Sequence, residues 1–400
     1  MSAQSRRGAR APQPNERICY VVTVLPTFRA FIAPVAKHLH RSLHSEISVI
    51  SSASAHEFDA LGTGFDHYSV RMKRGIDFGA LGAVLAMYRI FRRARYDIVE
   101  YTTPNAALYA SIAAWLARVP IRIYNQGGLR YVAFTGWRRR VFKAIEKLTC
   151  RLSTHIEPVS IGNLDYGVAE GLYPSGQGAV IWNGSACGVD VVRFDQAHAG
   201  RWSDEIRAEL AIPADGFVVG FVGRLSRDKG INELLAACRR VMTSRSDVYL
   251  LAVGGLDEPE GGLDPHLVGW AESSPSVHLC GTQRDVERFI AAMDCLVLPS
   301  YREGFGQVLI EAQAMGVAVV TTAIPGPLDA VVRDETAVLV PPRDVDALSD
   351  AIETLATDRE LCAQMGRAGL HHARANFAQS GFMERLAQVR RSQLAEAGLG

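Results

Sequence analysis

The sequence predicts an α/β protein with two doubly wound domains, each a parallel sheet covered by helices on both faces. In both halves of the chain, short apolar runs rich in β-branched residues alternate with segments that favour helices, a pattern typical of βαβ units. A polar stretch at residues 183–213 interrupts the alternation, and the 400 residues suffice for two or three domains. We therefore expect one domain over residues 17–195 and a second over residues 196–376.

The strands of the first domain are predicted where an apolar run stops at a proline, a glycine or a polar cluster. Residues 1–16 are rich in arginine and proline and lack an apolar core, so we expect a disordered tail instead of a signal peptide. The predicted strands are residues 18–25, 47–50, 96–101, 121–124 and 155–158, and the predicted helices are residues 31–43, 78–93, 106–118 and 137–152.

The second domain repeats this alternation of strands and helices. Ligands of open α/β sheets bind beyond the carboxyl ends of the strands, so the functional residues are expected in the loops that follow them. The predicted strands are residues 217–222, 248–253, 277–279, 295–298 and 318–321, and the predicted helices are residues 230–243, 285–292, 307–315 and 345–357.

The loop after the predicted strand at residues 295–298 combines two glycines with two carboxylates. Glu303 precedes a Gly-Phe-Gly run at residues 304–306, and Glu311 lies on the second turn of the helix that follows. Glycines let backbone amides come close to a ligand, and unpaired N–H groups at a helix N-terminus favour negative charge. This arrangement suits a ligand that carries a phosphate and many hydroxyls, such as a sugar nucleotide.

A second segment places two cations after a buried strand. Gly223 ends the strand at residues 217–222, and Arg224 and Lys229 follow it near the predicted start of a helix. Positive charge is unfavourable at a helix N-terminus, so a diphosphate between the two cations explains them better than solvent exposure. There they would neutralise the charge that develops on a departing nucleoside diphosphate.

These two segments, with an Asn-Gly…Gly-Val-Asp…Phe segment at residues 183–194, resemble the signature of retaining glycosyltransferase family 4 and its capsule and O-antigen branch. The resemblance implies the GT-B fold, in which two Rossmann-like domains face each other across a cleft and residues 377–400 cross back onto the first domain. It also implies transfer of a hexosyl or N-acetylhexosaminyl group from a nucleotide sugar, most often UDP-linked. The implied acceptor is a lipid-linked saccharide in capsule, O-antigen or exopolysaccharide synthesis.

The resemblance further implies roles for individual residues. Glu303, Arg224 and Lys229 would be catalytic, and Glu311 would bind the ribose hydroxyls. No cofactor or metal is expected, because the Asp-Val-Asp run at residues 344–346 follows two prolines and is interpreted as a helix cap. The nucleotide-sugar contacts are expected at Gly223, Thr282, Arg284, Gly304, Phe305, Gly306, Gln307 and Glu311.

The first domain departs from the family pattern. Many members carry a His-Gly pair in the cleft, whereas this chain has Asn125 and Gln126 before its glycines. Either of these residues, or neither, would take the histidine's role. We expect the acceptor to contact Arg29, Gln126 and Arg130.

Charge is unevenly divided along the chain. Residues 1–200 carry 24 Lys/Arg and 14 Asp/Glu, and residues 201–400 carry 19 and 28, for a net charge of +1. The basic excess lies at residues 71–74, 92–95 and 138–147, interspersed with aromatic side chains. These residues form either solvated helix faces or a surface for anionic lipid headgroups, and they match no nucleic-acid-binding module.

The cellular compartment is predicted from two features of the sequence, the apolar runs and the cysteines. No apolar run is long enough to span a bilayer, and the seven cysteines are scattered, which argues for a reducing cytoplasm. We expect a cytoplasmic protein at the inner face of a bacterial plasma membrane. The alternatives are an isomerase related to UDP-N-acetylglucosamine 2-epimerase, and a non-catalytic sugar-nucleotide sensor.

Overall fold

The computed structural model describes residues 16–72, 79–256 and 262–399 and contains two parallel six-stranded sheets. The first consists of β1 (Arg17–Val21), β2 (Glu46–Ser51), β3 (Asp66–Ser69), β4 (Ile98–Tyr101), β5 (Ile121–Gln126) and β6 (His155–Pro158). The second consists of β7 (Phe217–Val222), β8 (Val248–Val253), β9 (Val277–Leu279), β10 (Cys295–Leu298), β11 (Ala318–Thr322) and β12 (Ala337–Val340). The strand orders are β3-β2-β1-β4-β5-β6 and β12-β11-β10-β7-β8-β9.

Helices connect the strands of both sheets. The first half contains α1 (Leu25–Thr27), a π-helical turn (Phe28–Ile32), α2 (Ala33–Leu43), α3 (Ala55–Asp59), α4 (Gly79–Ala94), α5 (Pro104–Ala117), α6 (Gly136–Leu152) and α7 (Ile161–Ala169). The second half contains α8 (Ala199–Glu209), α9 (Ile231–Ser244), α10 (Pro265–Ser273), α11 (Val286–Ala291), α12 (Gln307–Ala314), α13 (Pro327–Ala330), α14 (Val345–Thr357), α15 (Arg359–Phe377) and α16 (Gln379–Glu396). Short 3₁₀ turns lie at Arg130–Ala133, Gln196–His198 and Arg227–Lys229.

The predicted doubly wound architecture is confirmed. The differences lie at element ends, at the outer strands, and in helices α3, α7, α8, α10, α13 and α15, which were not predicted. The first strand stops at Val21 instead of residue 25, because a helix that contains Pro26 at an early position already starts at Leu25. Two outer strands were not predicted: β3, with the polar sequence Asp-His-Tyr-Ser, and β12, with the apolar sequence Ala-Val-Leu-Val. The expected tail at residues 1–15, and Lys73 and Arg74, lie outside the described residues.

The last helix packs against the first sheet. Phe382, Met383 and Leu386 of α16 share a buried apolar cluster with Ile18 of β1 and Ala36 of α2. Phe377, just before α16, belongs to the cluster under the second sheet. We propose residues 17–195 and 196–376 as the domain bounds, with α16 returning to the first domain.

A buried ion triad joins α16 to the carboxyl ends of two strands. Arg390 donates to Glu157 of β6 through two nitrogens at 2.6 and 2.8 Å, and to Glu100 of β4 at 2.9 Å. All three side chains are almost fully buried, where an ion must be paired to be tolerated. Burial raises the pKa of Glu100 above its ordinary value. Burial alone would also raise the pKa of Glu157, but the charge and hydrogen bonds of Arg390 hold it below its ordinary value.

Candidate functional site

A cleft of about 750 Å³ separates the carboxyl ends of the two sheets. Its first-domain wall is formed by residues that follow strands, including Thr23 after β1 and Thr102 after β4. Its second-domain wall includes Arg224 after β7 and Glu303 after β10. The cleft thus lies where open α/β sheets bind their ligands.

Two glycine positions allow close approaches of the loop after β7, one to the end of β10 and one to the end of β8. Gly230 has a φ of +72°, and a Cβ there would lie 2.1 Å from the carbonyl oxygen of Pro299. A Cβ at Gly254 would lie 1.7 Å from the carbonyl oxygen of Gly223. The Tyr301 amide also donates to the Asp228 carbonyl at 3.0 Å. Only glycine fits these approaches. The contacts of Gly230 and Tyr301 place the cations after β7 beside the carboxylate after β10.

The three residues expected to be catalytic line this cleft together. The ammonium nitrogen of Lys229 lies 2.5 Å from Oε1 of Glu303, and Ser300 donates to the same oxygen at 2.8 Å. Arg224 is exposed, with its Nη2 atom 3.8 Å from Oδ2 of Asp228. A carboxylate and two cations therefore share one corner, which suits a ligand with both hydroxyls and phosphates.

The loop after β10 contains Gly304 and Gly306 and is called the glycine loop below. It is one of the places where the two domains are in contact. A Cβ at Gly304 would lie 2.1 Å from the carbonyl oxygen of Gly127, in the loop after β5. Asn163 of α7 donates its amide to the Gly304 carbonyl at 2.5 Å. Gly306 has a φ of +87° and caps the start of α12. The Phe305 ring is buried against Phe377, with ring centroids 5.4 Å apart, so a ligand would contact Phe305 through its backbone.

Gln307 connects the glycine loop to the segment between the domains. Its side-chain oxygen accepts from Ser185 at 2.7 Å, and its side-chain nitrogen donates to the Gly188 carbonyl at 2.8 Å. Both contacts fall within residues 183–194, which the family resemblance had singled out. The Gln307 side chain therefore holds the interdomain segment in place while the residue lines the cleft.

Glu311 lies one helical turn after Gln307, beyond the cleft-lining residues. Burial raises its pKa to about 7, with Arg193 opposing the rise and Glu287 adding to it. Those two neighbours form their own ion pair at 2.8 Å. Near neutral pH the Glu311 carboxyl therefore exists in both protonation states.

This pKa predicts a pH-dependent nucleotide affinity. If the Glu311 carboxylate accepts from ribose hydroxyls, binding favours the ionised form, so affinity for the nucleoside diphosphate should rise between pH 6 and pH 8, by up to about tenfold per unit below the pKa. Calorimetric titration of the nucleotide across this range measures the effect. Glu311→Gln should bind with an affinity that changes little with pH. An equal slope in both proteins would contradict the ribose assignment.

Of the residues of the first domain that were expected to contact the acceptor, Gln126 is buried and Arg130 lines the cleft. Gln126 is fully buried, its amide nitrogen donating to Glu146 at 2.7 Å and its amide oxygen accepting from Tyr173 at 3.2 Å. The prediction that Gln126 contacts the acceptor is therefore wrong, because the nitrogen and the oxygen of its side-chain amide both form hydrogen bonds with other residues of the first domain. Asn125 and Arg130 do line the cleft.

Three other expected contact residues lie outside the cleft. Arg29 and Arg284 are exposed and line a separate groove beside α2. Thr282 is exposed, and the Arg284 carbonyl accepts from Arg193 at 2.8 Å. The structure thus does not bring Arg29, Thr282 and Arg284 to the corner that holds Lys229 and Glu303.

Two contacts around the loop after β10 were not anticipated from the sequence, and the first of them joins the two domains. Asp329 of α13 accepts from the backbone amide of Gly162, at the start of α7, at 2.8 Å. Gly326, just before α13, packs against the glycine loop, since a Cβ there would lie 2.8 Å from the Gly304 carbonyl oxygen. Gly162 and Asp329 lie far apart in the chain, so no local sequence signal points to their contact.

The Asp-Val-Asp run is a helix cap, as expected. Asp344 accepts from the Ala347 amide at 2.9 Å at the start of α14, and Asp346 pairs with Arg240. Within residues 16–72, 79–256 and 262–399, no cluster of three or more His, Cys, Asp or Glu side chains could hold a metal ion. Over the same residues no helix is both long enough and apolar enough to cross a bilayer.

Comparison with known proteins identifies the family. The family model described as glycosyl transferases group 1 matches residues 203–372, and the one described as glycosyl transferase 4-like matches residues 17–158. The capsular polysaccharide biosynthesis glycosyltransferase CapM of Staphylococcus aureus is 31% identical over 387 residues, which cover 96% of this chain and 99% of CapM. The chain belongs to glycosyltransferase family 4.

Solved structures show that this glycosyltransferase has the GT-B fold. Sucrose-phosphate synthase from Thermosynechococcus elongatus superposes with a TM-score of 0.76 at 21% identity, covering 96% of this chain and 100% of that one. Anabaena Alr3699/HepE in complex with UDP and glucose superposes with a TM-score of 0.78 at 19% identity, covering 94% of this chain and 100% of that one. Family membership also decides against the isomerase and the non-catalytic sensor.

Proposed function

We propose that this glycosyltransferase moves a hexosyl or N-acetylhexosaminyl group from a UDP-sugar to a lipid-linked saccharide during surface polysaccharide assembly. The observation that carries the proposal is the Lys229–Glu303 pair beside Arg224 in the interdomain cleft. The name of the CapM relative supports the polysaccharide product. The UDP and glucose bound by the HepE neighbour support the donor.

The site chemistry follows from where the charges lie. Arg224 and Lys229 would bind the diphosphate, and Glu303 would accept hydrogen bonds from the donor sugar. As the bond between the anomeric carbon and the phosphate oxygen breaks, the two cations stabilise the charge on the leaving group. The acceptor hydroxyl forms the new bond on the same face and gives its proton to the departing phosphate oxygen, so the configuration is retained.

The experiment measures nucleotide release from UDP-, GDP- and ADP-sugars, with and without a polyprenyl-diphosphate sugar, in the presence of EDTA. We expect UDP release that depends on the acceptor and survives chelation, because two cations are available to stabilise the leaving diphosphate. Release from a GDP- or ADP-sugar alone would overturn the choice of UDP. Activity that EDTA abolishes and Mn²⁺ restores would overturn the role given to Arg224 and Lys229.

A lipid-linked acceptor would be held in a membrane, and the exposed face of α6 is suited to bind that membrane. Trp137 is 70% exposed and Val141 is 41% exposed, and Arg138, Arg140 and Lys147 are exposed on the same helix. Aromatic side chains at the headgroup level together with cations favour an anionic leaflet. We therefore include peripheral binding at the cytoplasmic face of the membrane in the proposal.

Two of the cations on α6 are already paired within the protein. Arg139 and Lys143 contact the Glu170 carboxylate at 2.9 and 2.8 Å. Apolar side chains are also exposed on α4, where Leu81 and Leu85 are 68% and 44% exposed. The membrane-facing cations are therefore Arg138, Arg140 and Lys147, and Arg139 has a structural partner.

We predict that replacing Arg138, Arg140 and Lys147 together by serine weakens sedimentation with anionic liposomes. Each cation near the surface contributes about 1 kcal/mol, so the loss should be about a hundredfold or more. Added salt should have a similar effect on the native protein, because exposed charges are screened over about 8–10 Å. Turnover on a short, water-soluble acceptor should be preserved.

The matched control removes three exposed arginines from the second domain, Arg239, Arg333 and Arg367. This variant changes the net charge equally and should sediment with the vesicles as the native protein does. Equal losses in the two variants would show that only net charge matters. An undiminished sedimentation of the α6 variant would exclude this face.

A further inference from the structure

A third cation, Arg302, lies at the corner that holds Lys229 and Glu303. It directly precedes Glu303 in the loop after β10 and lines the same cleft. Its Nη2 atom donates to Oδ2 of Asp228 at 2.9 Å. Its Nε atom is buried and has no hydrogen-bond partner among the residues that the structure describes. Arg302 thus lines the cleft, and one N–H donor of its guanidinium group is not used by any described protein group.

Asp228 connects this arginine to the other loop. The Oδ2 atom that accepts from Arg302 is also 3.8 Å from Nη2 of Arg224, and Oδ1 accepts from Ser226 at 2.6 Å. Burial alone would raise the pKa of Asp228, but the Ser226 hydrogen bond and the arginine charges hold it below its ordinary value. An ionised carboxylate therefore bridges two guanidinium groups that come from different loops.

The charges at this corner show why a third cation matters. Of the groups described above, Arg224 and Lys229 carry two positive charges, and Asp228 and Glu303 carry two negative charges. Without Arg302 these four groups sum to zero. With Arg302 the corner is positive, as recognition of a diphosphate requires.

We propose that Arg302 is a third diphosphate-binding residue, and that Asp228 is a positioning residue that holds Arg302 and Arg224 on either side of the phosphates. The inference rests on the proposed function, since it needs a nucleoside diphosphate donor. A guanidinium group presents its donors in a rigid fork that matches phosphate oxygens. Arg302 would use this fork on the phosphate while Asp228 keeps the group from turning into solvent.

The test compares binding of UDP and uridine to Arg302→Gln by calorimetry. Losing a hydrogen bond between charged groups should weaken UDP binding by about 10- to 100-fold. Uridine lacks the phosphates, so its affinity should change by less than about twofold. Arg302→Lys keeps the charge without the fork and should recover part of the UDP affinity. If Arg302→Gln does not fold, Arg302→Lys gives the same comparison with a smaller expected loss.

The matched control is Arg343→Gln. The Arg343 guanidinium lies 4.4 Å from the ring centroid of Tyr301, the residue before Arg302, and Arg343 is not among the cleft-lining residues that the structure describes. Its loss removes one positive charge close by and should leave UDP affinity unchanged. Equal UDP affinity in native protein and Arg302→Gln, or equal weakening of UDP and uridine, would overturn the inference alone. A native protein that binds no nucleoside diphosphate would overturn the proposed function as well.

Asp228→Asn tests the positioning role. The substitution makes the corner more positive by one charge, so UDP affinity should stay the same or increase. Turnover should nevertheless fall by about 10- to 100-fold, because the two guanidinium groups are no longer held in place. Weakened UDP binding with unchanged turnover would contradict the positioning role.

Discussion

Turnover should fall by about two orders of magnitude or more when either Lys229 or Arg224 is replaced by alanine. Both cations line the cleft, where we propose that they stabilise the leaving diphosphate. Lys229→Ala also leaves Glu303 without the ammonium that now lies 2.5 Å from its carboxylate. The Glu303 carboxylate, which we propose binds the donor sugar, would then lose one of its two hydrogen-bond donors.

The measurement is the steady-state rate of acceptor-dependent nucleotide release at saturating donor. Arg227→Ala is the matched control, because Arg227 lies on the same 3₁₀ turn as Lys229 but is exposed outside the cleft-lining residues. Its turnover should stay close to that of the native protein. Near-normal turnover in both Lys229→Ala and Arg224→Ala would refute the phosphate assignment.

Five of the six strands of the second sheet could be predicted from the sequence because most of them are buried. The predicted and observed bounds of β7, β8, β9 and β10 agree. β7, β8 and β10 are almost entirely buried, which makes each of them a continuous run without charged residues. Two edge strands were not predicted: β12 is a run of only four apolar residues, and β3 carries polar side chains. An edge strand needs no apolar run to be stable, so periodicity does not reveal it.

In the candidate site, too, only the features with a local sequence signal could be predicted. The three expected catalytic residues could be found because each lies in a short loop with its own local signal of charge and glycine. Contacts between the domains have no such signal: Asn163 and the Gly304 carbonyl are 141 residues apart, and Gly162 and Asp329 are 167 residues apart. Only the folded chain brings these pairs together.

The error at Gln126 has a different cause. Successive side chains of a strand point to opposite faces, so of Asn125 and Gln126 at the end of β5 only one can face the cleft. Asn125 lines the cleft and donates to Glu100 at 3.2 Å, and Gln126 points to Glu146 of α6. The alternation was visible in the sequence, but which side faced the cleft depended on the partner strands and helices.

Arg390→Met should give the largest loss of stability of any single substitution considered. It would leave Glu100 and Glu157 buried without the cation that now pairs with both. Breaking a buried ion pair from one side costs about 3–5 kcal/mol of unfolding free energy. Arg391→Met is the matched control, because Arg391 is exposed on the next position of α16 and should change stability by less than about 0.5 kcal/mol.

The pH dependence identifies the buried carboxyls as the cause. In the native protein the lowered pKa of Glu157 stabilises the fold above its ordinary pKa, and that stabilisation is lost as pH falls through the lower, folded value. Without Arg390 both carboxyl pKa values should rise. The deficit of Arg390→Met should therefore be largest at neutral pH and shrink as pH falls and the carboxyls become protonated.

Urea denaturation at pH 7 and pH 5 measures this deficit. Changing Glu100 and Glu157 to glutamine in the Arg390→Met background should restore much of the stability at pH 7, because no unpaired charge then remains buried. If the loss of unfolding free energy in Arg390→Met were the same at both pH values, and the glutamine changes restored none of it, the unpaired carboxylates would not be its cause. Recovery in the triple variant would instead show that α16 is held on the first sheet by apolar packing, and that Arg390 is required because the two carboxylates are there.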